Sequence, residues 1–276
     1  MDDIQKKISF DDLHIPGLPD TSAQLVAALQ DNFCSVQKLE ELICRDPALT
    51  AEVLKIVNAP LYASGKSVNT VAETIMFIGL GNLVSLVSIA ALTNACMKSS
   101  IDKEIIRHLL AVSSAATQLA EQADAVKVRR EIAVVAGLLH DIGKVVIFTS
   151  LPQEYSRIHD EAGGSGRPFA EVEQEMLGFN HCAVGVLLAR RWHFPLVYQH
   201  ALEHHHDEPI SEEKLSEADA LCYIVRAADK TVLDAGIGVG TSTEQDLPKL
   251  LKVLDIGQPA YERIAKNIAS MKTLSV

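Results

Sequence analysis

The sequence predicts an all-α protein, and three observations support that prediction. Ala, Leu and Val dominate a composition in which only 5% of residues are aromatic, and this bias favours helix. Helix-start signals recur along the chain, each with a capping side chain in front of an apolar pattern of helical period. No segment alternates apolar and polar residues over a useful length, so half-buried strands are not indicated.

The N-terminal helices are predicted by their caps. Ser35 precedes the amphipathic segment VQKLEELI, and Asp46 precedes a proline at the first helical position. Thr70 and Glu73 match a capping box in front of IMFIGL. The apolar stretch Val71–Ala95 is interrupted by polar and glycine residues, so it predicts a buried helix pair and not a membrane span.

Composition and charge limit the functional classes. The net charge of −11 argues against a groove that follows nucleic-acid phosphates and against binding to anionic membrane surfaces. The five cysteines are far apart and include no C-x-x-C pair, which indicates neither a disulfide framework nor a thiolate zinc knuckle. The N-terminus is polar and acidic without an apolar signal core, so we expect a cytoplasmic protein.

The charged segment Ser99–Lys103 is the best predicted boundary between two subdomains. It follows an apolar helix and precedes the first candidate metal ligand. We therefore expect an N-terminal helical subdomain over residues 1–100, packed on a ligand-rich helical subdomain over residues 101–276.

Histidine is concentrated in the second part of the chain, where acidic residues accompany it. Nine of the ten histidines lie beyond residue 100. Imidazole and carboxylate are the ligand types that hold iron, manganese, zinc or nickel in proteins. Several histidines with acidic partners, each in a helical segment, predict one metal centre that forms when these segments fold together.

Glu104 and His108 are predicted to lie one turn apart on the same face of a helix over Ile101–Glu121. At that spacing the two side chains can share one metal ion, or the carboxylate can orient the imidazole by a hydrogen bond while only the imidazole binds the ion. The alternative is an exposed Glu–His pair of small energetic value.

His140 and Asp141 stand within a strongly apolar run, Arg130–Phe148. Burying a charged Asp there costs several kcal/mol unless a metal ion or a cation such as Lys144 compensates it. Because adjacent helical residues lie about 100° apart, both side chains can reach one ion at the rim of a cleft. Gly143 is expected to allow the close approach of another backbone. The alternative is a polar rim with an ordinary Asp–Lys pair.

The remaining candidates lie in three later segments. His181 directly follows Asn180 and opens a predicted amphipathic helix, in a first turn where a ligand can point inward. Three consecutive histidines, His204–His206, end the next helix, and at least one of them is expected to face solvent. Asp229 lies four residues after Val225 on a core-facing stripe, where a carboxylate requires a partner. The alternative is that His181 and the three consecutive histidines are polar residues on the protein surface.

The combined pattern resembles the HD superfamily of helical metal proteins, in which H…HD…D binds a metal ion that hydrolyses phosphate esters. GLLHDIGK, an inward histidine, a histidine pair and a late aspartate are similar to the two-metal pattern of the HD-GYP phosphodiesterases. That resemblance implies Asp141 and Lys144 as catalytic residues, with Lys144 on a substrate phosphate. It also implies a set of metal ligands: Glu104, His108, His140, Asp141, His181, His205, His206 and Asp229.

The N-terminal half is similar to the HDOD domain family. The patterns D-P-x-L, L-K-x-V-N and I-x-x-I-G of that family stand at Asp46–Leu49, Leu54–Asn58 and Ile75–Gly79. The resemblance extends over about residues 12–235. The GYP tripeptide is absent after the histidine pair, where the chain reads Asp207-Glu-Pro-Ile, and this argues against cyclic-dinucleotide cleavage.

The resemblance implies a bacterial signalling or regulatory protein that acts on signalling proteins in trans. It implies a centre of one or two divalent transition-metal ions, which are iron, manganese, zinc or nickel. The alternative is a metal-dependent phosphohydrolase that takes a nucleotide or another phosphate ester. A cleft blocked by residues of Leu18–Asn58 favours regulation, and an open cleft that displays Lys144 and a metal-bound water favours hydrolysis. A third explanation is that the ligand residues are buried polar groups with satisfied hydrogen bonds.

Overall fold

The computed structural model describes residues 9–31, 34–59, 67–96, 100–207, 215–242 and 247–273. Within these ranges the protein is built of α-helices and contains no β-strand, only an isolated bridge between Pro168 and Thr241. The all-α prediction is therefore confirmed. In chain order the helices are α1 (Asp20–Leu29), α2 (Val36–Cys44), α3 (Pro47–Asn58), α4 (Val71–Ile78), α5 (Leu80–Cys96), α6 (Ser100–Gln122), α7 (Arg130–Leu139), α8 (Ile142–Ser150), α9 (Pro152–Ser165), α10 (Phe169–Leu177), α11 (His181–Arg191), α12 (Leu196–His204), α13 (Glu217–Asp234), α14 (Leu247–Val253) and α15 (Gln258–Ser270).

The predicted helix starts in the N-terminal half are confirmed. The hydroxyl of Ser35 accepts a hydrogen bond from the backbone N–H of Lys38 at 3.2 Å and begins α2. Asp46 caps α3 through its carboxylate, while Thr70 and Glu73 form a reciprocal capping box at the start of α4. Each cap satisfies N–H groups that have no partner inside the helix, so local chemistry fixes these boundaries.

The long apolar stretch of the N-terminal half forms the predicted helix pair, α4 and α5. The two helices are separated by Gly79, whose φ of 78° and ψ of 155° place it in a region that glycine adopts without a steric penalty. Ile75 and Ile78 on α4 and Leu83 and Leu86 on α5 are all buried in the core. The stretch is therefore interior, as its composition predicts.

One stretch of the described residues is long and apolar enough to cross a membrane when judged by length and composition. It is Arg130–Ser150, with a mean hydropathy of 1.8, and 83% of its most apolar window is buried inside the protein. The stretch comprises α7 and α8. Helices at the centre of a large core share this composition, and burial accounts for it here.

The N-terminal helices pack on the C-terminal bundle through one hydrophobic core that includes residues of both halves. The Tyr198 hydroxyl donates a hydrogen bond to Oδ1 of Asn82 at 2.6 Å, and the Trp192 indole donates to the carbonyl of Pro16 at 3.0 Å. A division of the chain at residue 100 stays a prediction. Residues 97–99, at the predicted boundary, and 208–214, after the histidine pair, lie outside the described residues.

His140 and Asp141 lie in a turn between two helices. The helix α7 ends at Leu139 and α8 begins at Ile142, while Asp141 has φ −107° and ψ 15°. The carboxylate of Asp141 makes no capping hydrogen bond to α8. The break therefore leaves this carboxylate available to groups in the interior.

The predicted close approach at Gly143 is confirmed. A Cβ atom at this position would lie 2.0 Å from the carbonyl oxygen of His181 and 2.9 Å from the backbone nitrogen of Gly185. Only a residue without a side chain permits α8 and α11 to pack at this distance. The contact fixes the first turn of α11, and thus His181, against the helix that follows Asp141.

Candidate metal centre

The carboxylate of Asp141 lies at the centre of a buried set of imidazoles. Its Oδ1 is 2.9 Å from Nε2 of His181. Its Oδ2 is 3.3 Å from Nε2 of His140 and 3.4 Å from Nε2 of His108. The side chain of Asp141 is 1% exposed. The two oxygens of this carboxylate therefore face different histidines.

The first group of candidate ligands consists of His108, His140 and Asp229. They come from α6, from the turn after α7 and from α13. Nε2 of His108 lies 3.1 Å from Oδ1 of Asp229 and 3.3 Å from Nε2 of His140. All three residues are buried, and their ligand atoms lie within 4.8 Å of one another.

The second group consists of His181, Cys182, His205 and His206, whose ligand atoms also lie within 4.8 Å of one another. The first two residues open α11, and the other two follow the last residue of α12. Nε2 of His181 lies 3.0 Å from Nε2 of His206, and Nε2 of His205 lies 3.7 Å from Oδ1 of Asp141.

The three consecutive histidines differ in their exposure to solvent. His204 is 38% exposed at its side chain, and its Nδ1 lies 2.6 Å from a carboxylate oxygen of Asp207. His205 is buried and His206 is half-buried, and both belong to the second group. The expectation that at least one of the three faces solvent is confirmed.

Four of the histidines are held by their Nδ1 atoms, so their Nε2 atoms face the centre. The Nδ1 partners are the carbonyl of Ile237 for His108 at 3.0 Å, that of Gly137 for His140 at 2.8 Å, Oε2 of Glu173 for His181 at 2.5 Å and the carbonyl of Leu202 for His205 at 3.0 Å. A carbonyl or carboxylate acceptor places the proton on Nδ1 and leaves the lone pair on Nε2. Metal-binding histidines are oriented in this way.

The spacing and chemistry of these residues fit a metal centre. Nitrogen ligands of a tetrahedral ion with bonds of 2.0–2.1 Å lie about 3.3 Å apart. The Nε2 atoms in the two groups approach one another to 3.3 and 3.0 Å. In addition, Oδ1 of Asp141 is buried without a hydrogen bond of acceptable geometry. Imidazole and carboxylate together suit iron, manganese, zinc and nickel.

The local charges favour a cation at the centre. Burial alone lowers the pKa of His108, but hydrogen bonds and charge from Asp141 and Asp229 outweigh it and raise that pKa to about 9. Burial raises the pKa of Asp141, yet His140, Lys144 and His181 hold it well below its ordinary value. A metal ion can replace the proton of His108 between the two carboxylates, because ligand histidines bind metals in the neutral form.

Glu104 stands apart from the two groups. Its Oε2 lies 3.2 Å from Nε2 of His159, and its side chain is 28% exposed. His108, one turn along α6, instead faces Asp141 and Asp229. Glu104 and His108 line the same small cavity, but the carboxylate of Glu104 bonds His159 on α9, and its role as a ligand stays a prediction. The structure brings the other seven predicted ligands together, and their role as ligands stays a prediction.

Lys144 lies beside the first group. Its ammonium is 2.6 Å from Oδ2 of Asp141 and 4.7 Å from the centroid of the Phe169 ring. Burial lowers the pKa of Lys144, but the carboxylates of Asp141, Glu173 and Asp229 more than compensate and raise it. Lys144, His108 and Asp141 line a cavity of about 30 Å³. The predicted catalytic pair is thus in direct contact, next to a small space.

A larger groove of about 590 Å³ lies beside the second group. Cys182, His206 and Arg190 are among the residues that line it. The two groups of candidate ligands therefore have different surroundings, since one faces a small cavity and the other faces a wide groove.

Two residues at the centre were missed by reasoning from the sequence. Glu173 is fully buried on α10 and bonds His181. It lies four residues after Phe169 and four before Leu177, so a carboxylate on an apolar helical stripe was the available signal. Cys182 was considered only through cysteine spacing, whereas its position beside His181 in a first helical turn is what places it in the second group.

A model of the HDOD domain family matches residues 15–208 of this chain. An uncharacterised protein from Treponema pallidum (strain Nichols) is 24% identical over 203 residues, which is 72% of this chain and 39% of that protein. The chain thus spans about two-fifths of the length of this curated relative.

Several solved structures share the fold. An HDOD domain protein of unknown function from Geobacter sulfurreducens is 22% identical, with a TM-score of 0.63 over 95% of this chain and 94% of that one. A candidate metal-dependent phosphohydrolase from Shewanella amazonensis SB2B is 20% identical, with a TM-score of 0.63 over 95% and 93%. A candidate signal transduction protein from Marinobacter aquaeolei VT8 is 17% identical, with a TM-score of 0.69 over 94% and 58%. At these identities the likeness shows the fold alone.

Proposed function

Since this chain belongs to the HDOD domain family, we propose that it is a bacterial regulatory protein with a buried metal centre, which acts through signalling proteins in trans. The observation that supports the metal centre best is the position of Asp141. Its two oxygens face two sets of imidazoles, and the Nδ1 atoms of four of these histidines are already bonded.

Each oxygen of Asp141 is assigned to one group. Oδ2, with the first group of His108, His140 and Asp229, would hold one divalent ion. Oδ1, with the second group, would hold another. Iron, manganese, zinc and nickel all suit this donor set, and a bound ion supplies Lewis acidity toward water and phosphate oxygens. The centre would also tie α6, α11, α12 and α13 together, so metal loading would alter the stability of the surface that these helices form.

The size of the cavity beside Lys144 favours regulation over catalysis. A volume of about 30 Å³ has room for roughly two water molecules. Pockets for small-molecule ligands measure roughly 300–1,000 Å³. The cavity beside Lys144 is smaller than such a pocket, so in this proposal the centre serves as a structural element whose occupancy partner proteins sense.

The alternative is a metal-dependent phosphohydrolase, and the groove beside the second group favours it. That groove, of about 590 Å³, is large enough for a phosphate ester. In this alternative the guanidinium of Arg190 would bind a phosphate at the groove wall. Lys144 would lie outside this groove, in the small cavity beside the first group, where Asp141 holds its ammonium in place.

The test is elemental analysis of the protein purified without an affinity tag or chelator, with the variants H140A, H14A and H159A. We expect one or two equivalents of a transition metal in the wild type, a severe loss in H140A and full loading in H14A and H159A. His14 is exposed and His159 bonds Glu104, so neither belongs to the two groups. Equal metal content in all four proteins would contradict the proposed centre.

Hydrolysis separates the two candidate functions. The metal-loaded protein is assayed with cyclic dinucleotides, nucleotides and simple phosphate esters. Turnover that is lost in H140A and in K144A would establish the phosphohydrolase. Metal loading without turnover of any of these esters supports the regulatory proposal. That proposal is then tested by comparing which partner proteins the metal-loaded and the metal-free protein capture.

A further inference from the structure

Cys182 lies in the second group although no cysteine belongs to the ligand pattern that the sequence resembles. Its side chain is buried, with 7% of the residue exposed. Its Sγ lies 3.9 Å from Nδ1 and 4.0 Å from Nε2 of His205. Nδ1 of His205 is already bonded to the carbonyl of Leu202, so Nε2 is the atom that remains for a shared ion.

The distances around Cys182 are close to those of a zinc site. Bonds of about 2.3 Å to sulfur and 2.0 Å to nitrogen place the two ligand atoms about 3.5 Å apart in a tetrahedron. The Sγ–Nε2 distance of 4.0 Å exceeds this by about half an ångström. The position in the first turn of α11 also favours a thiolate, because the helix N-terminus carries partial positive charge.

A second observation points to a cation in this group. Oδ1 of Asp141 faces it, at 2.9 Å from Nε2 of His181 and 3.7 Å from Nε2 of His205. This oxygen is buried and has no hydrogen bond of acceptable geometry. A buried carboxylate oxygen whose neighbours are imidazole nitrogens is a favourable position for a cation, which would replace the imidazole protons there.

The two groups differ in the softness of their ligands. The first group offers only nitrogen and oxygen, from His108, His140 and Asp229. The second group adds sulfur, which prefers zinc and other thiophilic ions over manganese and magnesium. The second group also opens on the wide groove through Cys182 and His206, so an ion there can exchange with solution.

We propose that Cys182 is a thiolate ligand of the second group and makes it a site for a thiophilic divalent ion of the zinc type. The first group then holds the ion that needs only nitrogen and oxygen. This inference rests on the proposed metal centre, since it concerns a ligand of that centre and the choice of ion.

The test uses cobalt(II), which replaces zinc and reports sulfur ligands through a thiolate-to-metal charge-transfer band in the near ultraviolet. Full-length metal-free protein is titrated with cobalt(II) and then with zinc and manganese. The variants are C182S and, as a matched control, C222A, because Cys222 is an equally buried thiol outside the two groups.

We expect the charge-transfer band in the wild type and in C222A, and its loss in C182S. Zinc affinity of the second site should fall in C182S by more than the roughly 10–100-fold that is typical when an orienting partner of a ligand is lost, while manganese binding at the first group stays unchanged. If the wild type binds cobalt but shows no charge-transfer band, the inference about Cys182 is overturned and the proposed metal centre is unaffected. This outcome does not depend on whether C182S folds. If the wild type binds no cobalt, zinc or manganese, the proposed centre itself fails.

Discussion

Glu173 holds His181 through a single carboxylate oxygen. Oε2 of Glu173 accepts hydrogen bonds from the backbone N–H of His181 at 2.8 Å and from its Nδ1 at 2.5 Å. Burial lowers the pKa of His181, but negative charge on its neighbours, that of Glu173 first and then those of Cys182 and Asp141, together raises that pKa well above its ordinary value. The two bonds fix both the start of α11 and the direction in which the imidazole faces Asp141.

Replacing Glu173 by Gln should weaken metal binding about 10–100-fold, as is typical for a group that orients a ligand from behind. The amide keeps the size of the side chain but loses the charge that holds the proton on Nδ1 of His181. Isothermal titration with zinc measures the effect. E171Q is the matched control, since Glu171 is exposed on the same helix. Equal affinities of E173Q and the wild type would show that Glu173 does not orient the ligand.

Replacing Asp141 by Asn should abolish the stabilisation that metal confers. A ligand present at a hundred times its Kd stabilises the native state by about 2.7 kcal/mol, and this gain requires an intact site. Thermal unfolding with and without metal therefore gives a rise in Tm for the wild type and little or none for D141N. If D141N lowers Tm equally in both conditions, Asp141 has a structural role only.

Replacing Gly143 by Ala should destabilise the protein by at least about 2–3 kcal/mol, because its Cβ would lie 2.0 Å from the carbonyl oxygen of His181. The control is G164A on α9, where a Cβ has open space. Alanine in that helix should stabilise by about 0.5 kcal/mol. Urea unfolding of the metal-free forms compares the two, and a G143A midpoint equal to that of the wild type would contradict the packing of α8 on α11.

Replacing Asp219 by Asn should lower stability near neutral pH by about 0.5 kcal/mol, the order expected for a carboxylate in the first turn of a helix. The Ser216 hydroxyl, bonded to Oδ2 of Asp219 at 2.6 Å, lowers the pKa of that carboxyl from 3.8, and the nearby His200 lowers it further. A depressed native pKa contributes stability above the unfolded value, which is lost as the pH falls through the native value.

The difference between D219N and the wild type should therefore narrow only as the pH falls below 3.8. The difference in stability is measured as the difference between the urea midpoints of D219N and the wild type, from neutral pH down to about pH 3. A difference that stays constant over this range would mean that the charge of Asp219 plays no part in the cap.

Local chemistry made much of the fold predictable. Ser35, Asp46 and Thr70 begin helices where a cap precedes a periodic apolar pattern, because those bonds join residues three or four positions apart. Asp229 was identified in the same way, since a carboxylate on the apolar stripe of α13 needs a partner wherever that stripe is buried.

Contacts between distant segments were decided only by the tertiary structure. The spacing of Glu104 and His108 predicts that they share one helix face, but in the structure the carboxylate of Glu104 bonds His159 on α9. Spacing does not show that Glu173 holds His181 or that Cys182 lies beside His205.

The sequence by itself determined the helical class, most helix starts and the residue types that can hold a metal, because these depend on neighbours within one or two turns. Only the packing of α6, α8, α11, α12 and α13 decided that the carboxylate of Asp141 lies between two groups of ligands. The physical reason is that ligand distances are set by where separate helices cross, and side-chain patterns along one helix do not encode that crossing.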